Sequence, residues 1–141
     1  MCGICGIISL TNQPLSAAML QKLGRMNDAL AHRGPDSSGV WHNETVALGH
    51  RRLAIMDLSA AGHQPMLSVD NQTVIAFNGE IYNYQNLKNQ TPQYPYRGHS
   101  DTETLLALYQ KEGQQDASKM LNQLNGMFAF AIWDDVKKRL L

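Results

Sequence analysis

Cys2 stands directly behind the initiator Met1 and ahead of Gly3. Cys2 and Gly3 are both small, the residue type that permits removal of Met1. The new first residue would then carry a thiol and a free α-amine together. A thiol is a weak nucleophile until its proton is taken. An α-amino group, with an ordinary pKa of about 7.7–8.0, is a base suited to neutral pH. Nucleophile and base would belong to one residue, as in terminal-nucleophile chemistry. A lone early cysteine is more often a buried small hydrophobe, so the case rests on residues downstream.

Four further clusters carry chemistry, each with a structural alternative. His32-Arg33-Gly34-Pro35-Asp36 reads first as a helix C-terminal stop, with positive charge placed favourably for the dipole. Gly49-His50-Arg51-Arg52-Leu53 sets two arginines between strand-like flanks. Adjacent strand residues point to opposite faces, so one arginine faces inward and needs an anionic partner. That partner is either a structural carboxylate or a substrate carboxylate gripped bidentately. In Phe77-Asn78-Gly79-Glu80-Ile81-Tyr82-Asn83, Asn-Gly after a β-run is a hairpin signal. The residues that follow are not a clean partner strand, and an Asn amide beside a Gly N–H makes a pair of oxyanion donors. Asp101 sits in the first turn of an expected helix, where the dipole favours it; its sharper role is to bind an ammonium. A terminal thiol, an oxyanion pair, an arginine for a carboxylate and an aspartate for an amine together read a free α-amino acid with a cleavable side-chain amide. That substrate is glutamine.

Composition bounds the rivals. At 141 residues the chain is long enough for one domain with a core. Twelve basic and twelve acidic residues cancel, which argues against nucleic acid or anionic lipid as partner. The longest apolar run, Met127 to Trp133, is too short to cross a bilayer. No secretory signal opens the chain, and two cysteines make no disulfide framework, so a cytoplasmic location is expected. Cys2-Gly3-Ile4-Cys5 matches C-x-x-C, but no second cysteine pair completes a zinc site and the five histidines lack close ligand spacing. No metal is expected. A redox pair should open a helix, whereas this one precedes the strand-like Ile7 to Leu10.

The elements that must position these groups follow from periodicity and turn chemistry. Gly6 to Leu10 reads as a short strand. Ser16 caps a helix with Met19, Leu23, Met26 and Leu30 as its inner face, stopped at Gly34-Pro35. Thr45 to Leu48 and Leu53 to Met56 read as strands around a basic interruption, and Asp57 to Pro65 as a loop. Thr73 to Phe77 is a strand that breaks at Asn78-Gly79. Ser100-Asp101-Thr102-Glu103 has the form of a capping box, and Gly113 ends its helix. Asp116 caps a further helix through Met120, Leu121 and Leu124. Met127 to Trp133, Asp134-Asp135 and Val136 to Leu141 suggest a hairpin. Strands and helices mixed in this way fit sheets covered by helices.

On these residues the sequence resembles the glutaminase domain of asparagine synthetase, a class II glutamine amidotransferase of the N-terminal-nucleophile hydrolase superfamily. The matching stretches are Met1–Gly6, His32–Asp36 with Ser38-Gly39, His50–Leu53 running on to Asp57, His63-Gln64-Pro65-Met66, Asn78–Asn83, Ser100–Glu103 and Asn125–Ala131. They span essentially the whole chain in the family's order. The resemblance implies an α+β fold, a four-layer αββα sandwich with Cys2 at a strand tip, as one glutamine amidotransferase type 2 domain over 1–141. It implies Cys2 as nucleophile with its α-amine as base, and Asn78 with the Gly79 N–H as oxyanion hole. Arg52, preferred over Arg51, would hold the glutamine carboxylate; Glu80 and Asp101 would contact the amino-acid end. It further implies hydrolysis of glutamine to glutamate and ammonia, for ATP-dependent amidation of aspartate by a synthetase domain in cis or trans. ATP and magnesium belong to that domain, and no cofactor is expected in this chain. The family's domain continues for several more strands, so the chain reads as truncated at its C-terminus. The alternatives are a truncated, non-catalytic glutaminase fold, or an amidotransferase acting on another carboxylate acceptor.

Overall fold

The computed structural model describes residues 1–55 and 57–141. In chain order the elements are β1 (Gly3–Ile8), α1 (Ala17–Ala29), β2 (Ser37–His42), β3 (Val46–Arg52), β4 (Met66–Leu67), β5 (Thr73–Ile81), α2 (Tyr84–Asn89), α3 (Asp101–Leu108), α4 (Ala117–Leu121), β6 (Gly126–Asp134) and β7 (Arg139–Leu140). A short 3-10 turn spans Ala60–Gly62, and a π turn, Tyr109–Gly113, prolongs α3.

The strands form two antiparallel sheets, ordered β1-β3-β2 and β4-β5-β6-β7. Alternation along each strand decides the layers. Val46 and Leu48 of β3, Val74 and Ala76 of β5 and Trp133 of β6 fill the space between the sheets. The opposite face of the second sheet, with Ile75, Phe77 and Ile132, packs on Leu87, Leu105, Leu106, Leu108, Tyr109 and Met120 of the helical layer. Helix α1 covers the outer face of β1 and β3. The result is the four-layer αββα sandwich of an α+β fold.

Several expected elements shift. The first strand starts earlier, at Gly3, so Cys2 sits at its N-terminal tip. Ser16 does cap α1, accepting a hydrogen bond from Met19 N–H, but Met19 and Met26 are exposed. Leu23 and Asn27 are the buried positions. The polar Asn27 breaks the apolar stripe in sequence, yet its amide donates to Ser38 Oγ and Gly39 C=O, which makes its burial tolerable. The strands expected on either side of the arginines are one strand, Val46–Arg52. Residues 53–55 lie beyond it, and Met56 is outside the described residues.

Asn78-Gly79 does not break its strand either. β5 continues to Ile81, with Asn78 opposite Ala129 and Gly79 opposite Phe128. Gly79 has φ +150°, a conformation that L side chains rarely adopt, and a Cβ there would collide with Met127 C=O and Phe128. The glycine serves a close strand approach, and the hairpin reading is overturned by nine residues of pairing. Only half of the expected capping box forms. Ser100 Oγ accepts from Glu103 N–H, while the Glu103 carboxylate reaches past the cap to the N–H groups of Arg97 and Gly98, both at 2.8 Å. Asp116 caps α4 through Lys119 N–H, but that helix ends at Leu121. The final hairpin forms with a shorter second strand, Arg139–Leu140, across a turn that includes Val136 to Lys138.

Candidate active site

A cavity of about 200 Å³ opens where the N-terminal end of β1, the end of β3, the middle of β5 and the start of α3 converge. Its lining includes Cys2, Arg52, Asn78, Gly79, Glu80 and Asp101. All six residues singled out in the sequence therefore meet at one place. The volume is below the roughly 300–1,000 Å³ of sites for drug-sized ligands, which suits a small metabolite.

Cys2 is held by main-chain contacts. Leu53 N–H donates to its sulfur at 3.3 Å, the Leu53 carbonyl lies 3.6 Å from it, and Arg33 Nε donates to the Cys2 carbonyl at 3.1 Å. Cys5, three residues along the strand, points the other way. Its sulfur lies against Gly49 on the α1 side, where burial pushes its thiol pKa up. The two free cysteines are thus on opposite faces of β1, and a redox or zinc role for C-x-x-C has no geometry to support it. Met1 also lines the cavity and is 69% exposed, accessible to removal.

The two arginines divide as strand alternation requires. Arg51 faces α1, donating to Asn27 C=O and pairing with Asp28 at 2.5 Å. Arg52 faces the cavity, and its guanidinium donates to the carbonyls of Asp57 and Ser59. Among the described residues no carboxylate lies within ion-pair distance of Arg52. The loop that cradles it is pinned by Asp57, whose carboxylate accepts from Ser59 Oγ, Ser59 N–H and His99 N–H. Those hydrogen bonds, Ser59 Oγ foremost, hold its pKa down at about 2.

Across the cavity, Asp101 is buried. It accepts from Ile81 N–H at 3.0 Å and from Thr102 N–H at 2.8 Å. Burial nevertheless raises its pKa, and the neighbouring Glu80 adds to the rise. A ligand cation would relieve both. The Asn78 side chain has no hydrogen-bond partner among the described residues, and its Oδ1 is buried. Along β5 the residues that turn their amides away from β6 alternate. Phe77 N–H donates to Gln64 Oε1 and Ile81 N–H to Asp101. By that alternation, Gly79 N–H points outward between them, into the cavity.

Sequence reasoning missed the residues that hold this site together. Arg33 and Asp36, read as part of a helix stop, tie the N-terminal tip and the end of β3: Asp36 N–H donates to Arg52 C=O, and its carboxylate accepts from Ala54 N–H. Gly34 lies so close to the Arg51–Arg52 peptide that a Cβ would strike it. Asp57 and Gln64 fall in stretches that carry the family resemblance, but nothing in the sequence assigned either a role in holding the site. Among the described residues no group of three or more His, Cys, Asp or Glu side chains is arranged to hold a metal. No described helix is long and apolar enough to cross a membrane.

Comparison with known proteins agrees with this geometry. The family model described as "Glutamine amidotransferase domain" matches residues 1–141. "Asparagine synthetase [glutamine-hydrolyzing] 1" of Bacillus subtilis is 42% identical over 136 residues, which covers 95% of this chain and 21% of that protein. "Asparagine synthetase B [glutamine-hydrolyzing]" of Escherichia coli is 37% identical over 142 residues, covering 100% and 24%. The chain thus spans about a fifth of the length of these curated relatives. Among solved structures, the glutamine phosphoribosylpyrophosphate amidotransferase of B. subtilis, complexed with ADP and GMP, superposes with a TM-score of 0.70 at 23% identity. The match covers 94% of this chain and 35% of that one, a likeness of fold. With its whole length matched by the family model, this chain belongs to the glutamine amidotransferase domain family.

Proposed function

We propose that this chain hydrolyses glutamine to glutamate and ammonia, as the glutaminase unit of an asparagine synthetase-type amidotransferase. The observation that carries the reading is the single cavity in which Cys2, Arg52, which has no anionic partner among the described residues, two carboxylates (Glu80 and Asp101) and the Asn78-Gly79 donor pair converge. Arg52 takes the α-carboxylate of glutamine, while Asp101 and Glu80 take its α-ammonium. The side-chain amide is thereby directed to Cys2. With Met1 removed, the α-amine of Cys2 accepts the thiol proton and the sulfur attacks the amide carbon. The oxyanion forms against Asn78 Nδ2 and Gly79 N–H. Collapse breaks the C–N bond, the protonated α-amine of Cys2 returns that proton to the leaving nitrogen as ammonia departs, and water then hydrolyses the γ-glutamyl thioester, releasing glutamate and the thiol. The ammonia serves ATP-dependent amidation of aspartate in a synthetase unit, a destination supported by the named relatives.

The test is Cys2→Ala in a chain that remains folded by circular dichroism: glutamine hydrolysis should vanish, and persistence would overturn the mechanism. Mass spectrometry of the active protein should find Cys2 at the N-terminus. A glutamine-like electrophile such as a diazoketone should label Cys2 and spare Cys5.

A further inference from the structure

We propose that His50 and Gln64 are positioning residues that set the distance between the Cys2 sulfur and the oxyanion donors, by holding both main-chain polar groups of Phe77. The proposal rests on the glutaminase reading above.

The difficulty that these residues solve is built into the fold. Cys2 extends from β1 in one sheet, while Asn78 and Gly79 belong to β5 in the other, so no ladder of main-chain hydrogen bonds fixes one relative to the other. Apolar packing between the sheets holds them together without setting a precise spacing. At this level β5 is also an edge: β4 pairs only with Ile75 and Val74. From Phe77 onward the outward N–H and C=O groups need other partners.

Two side chains supply them. His50, fully buried, lies opposite Ile4 on β3, two residues before Arg52 on the same face. Its Nε2 donates to Phe77 C=O at 2.9 Å, across the gap between the sheets. Burial, with Arg52 and His63 nearby, lowers its pKa to about 4, so at neutral pH it is an uncharged imidazole with the proton on Nε2. Gln64, also buried, accepts from Phe77 N–H at 2.7 Å and donates to Thr102 Oγ1 at 3.3 Å. The two peptide units that flank Phe77 are thus fastened, the one before Asn78 to the Cys2 sheet by His50 and the one before Phe77 to the start of α3 by Gln64. Gly79 N–H is the next outward amide on that edge. It keeps its direction into the cavity only while the units flanking Phe77 keep their own.

Substrate recognition by Arg52, Glu80 and Asp101 uses none of these hydrogen bonds, so the clamp acts on the chemical step. Displacements of about 1 Å can cost on the order of 100-fold in rate. In the full chain, His50→Leu and Gln64→Leu should each lower kcat for glutamine about 10- to 100-fold. KM should change less than about twofold, and Cys2 should remain alkylable by iodoacetamide at the wild-type rate, a split that a general loss of structure would not produce. His50→Gln retains an N–H donor and Gln64→Glu retains an acceptor for Phe77 N–H; each should recover most of the lost kcat. If a Leu variant does not fold, its conservative counterpart and Thr102→Val carry the test through amide hydrogen exchange. Faster exchange at Phe77 in Thr102→Val, with Ile75 unchanged, supports the clamp. Unchanged kcat in both Leu variants, a parallel rise of KM, or unchanged Phe77 exchange in every variant would overturn it. Should wild-type protein fail to hydrolyse glutamine at all, the glutaminase reading falls, and the exchange measurement still decides whether these residues hold Phe77.

Discussion

At the scale of single residues, the site places groups of fixed chemistry around one small cavity. Asn78→Ala removes one of the two proposed oxyanion donors, a loss that typically costs about 100- to 1,000-fold in rate. Steady-state kinetics should show that fall in kcat while glutamine still binds. Asp101 allows a sharper test, because its pKa is raised by burial and by Glu80. A carboxyl group with a raised folded pKa stabilises the fold below its ordinary value and loses that contribution as pH rises through the folded pKa. At neutral pH the ionised form is therefore a net cost. Asp101→Asn should melt at or above the wild-type temperature at pH 7, with the difference closing as pH falls through the carboxylate range. Its KM for glutamine should nevertheless rise, by about 10-fold or more, for want of a charged partner for the ammonium. Thermal melts across pH together with kinetics would check both halves. A variant both less stable at pH 7 and unaltered in KM would contradict the placement of Asp101 at the substrate amine.

At the scale of elements, loops and strand ends align the reactive groups. The 57–62 loop carries no atom proposed to react, yet its carbonyls orient Arg52 and its Asp57 carboxylate fastens it to Ser59 and His99. Asp57 has a folded pKa of about 2 against an ordinary 3.8. Its contribution is fully present above the ordinary value and is lost as pH falls from about 4 to about 2. Asp57→Asn should lower the melting temperature at pH 7 and flatten its acid dependence in that window. It should also raise KM for glutamine by loosening Arg52. An acid limb identical to wild type would remove Asp57 from this role. Such dependence was legible only in part: Arg51-Arg52 implied one inward arginine, but nothing in the sequence shows that Asp57 and Ser59 return to cradle it. The role of Gln64 was equally unreadable, although its stretch carries the resemblance, since its hydrogen bonds reach Phe77 and Thr102, 13 and 38 residues away.

At the scale of the whole molecule, the proposed reaction stops at the release of ammonia, and the acceptor chemistry is assigned to a separate synthetase unit. Purified chain should release glutamate from glutamine, form no asparagine and bind no ATP by calorimetry. Addition of a synthetase partner should couple hydrolysis to aspartate amidation. Glutamine-dependent ATP cleavage by the 141 residues alone would contradict this division of labour. The sandwich itself explains how Cys2 and the Asn78-Gly79 pair reach one cavity from separate sheets. β1 and β3 bring Cys2 beside Arg52, the facing sheet brings Asn78 and Gly79, and α3 closes the side with Asp101.

What the sequence determined by itself was local signal: a thiol directly behind Met1, the caps at Ser16, Ser100 and Asp116, and one arginine turned inward. Each of these depends on neighbours within a few residues, which is the range over which capping and strand alternation act. Tertiary structure alone decided the rest. The Asn78-Gly79 pair has the local chemistry of a turn, and a full-length partner strand, β6, overrides it by pairing straight through. The exposed Met19 and Met26 obey the helical period, but the first sheet offers its packing surface to the Leu23–Asn27 side, where Asn27 finds partners. Burial and long-range hydrogen bonding are properties of the assembled layers, so the clamp on Phe77 and the cradle around Arg52 exist only once both sheets have met.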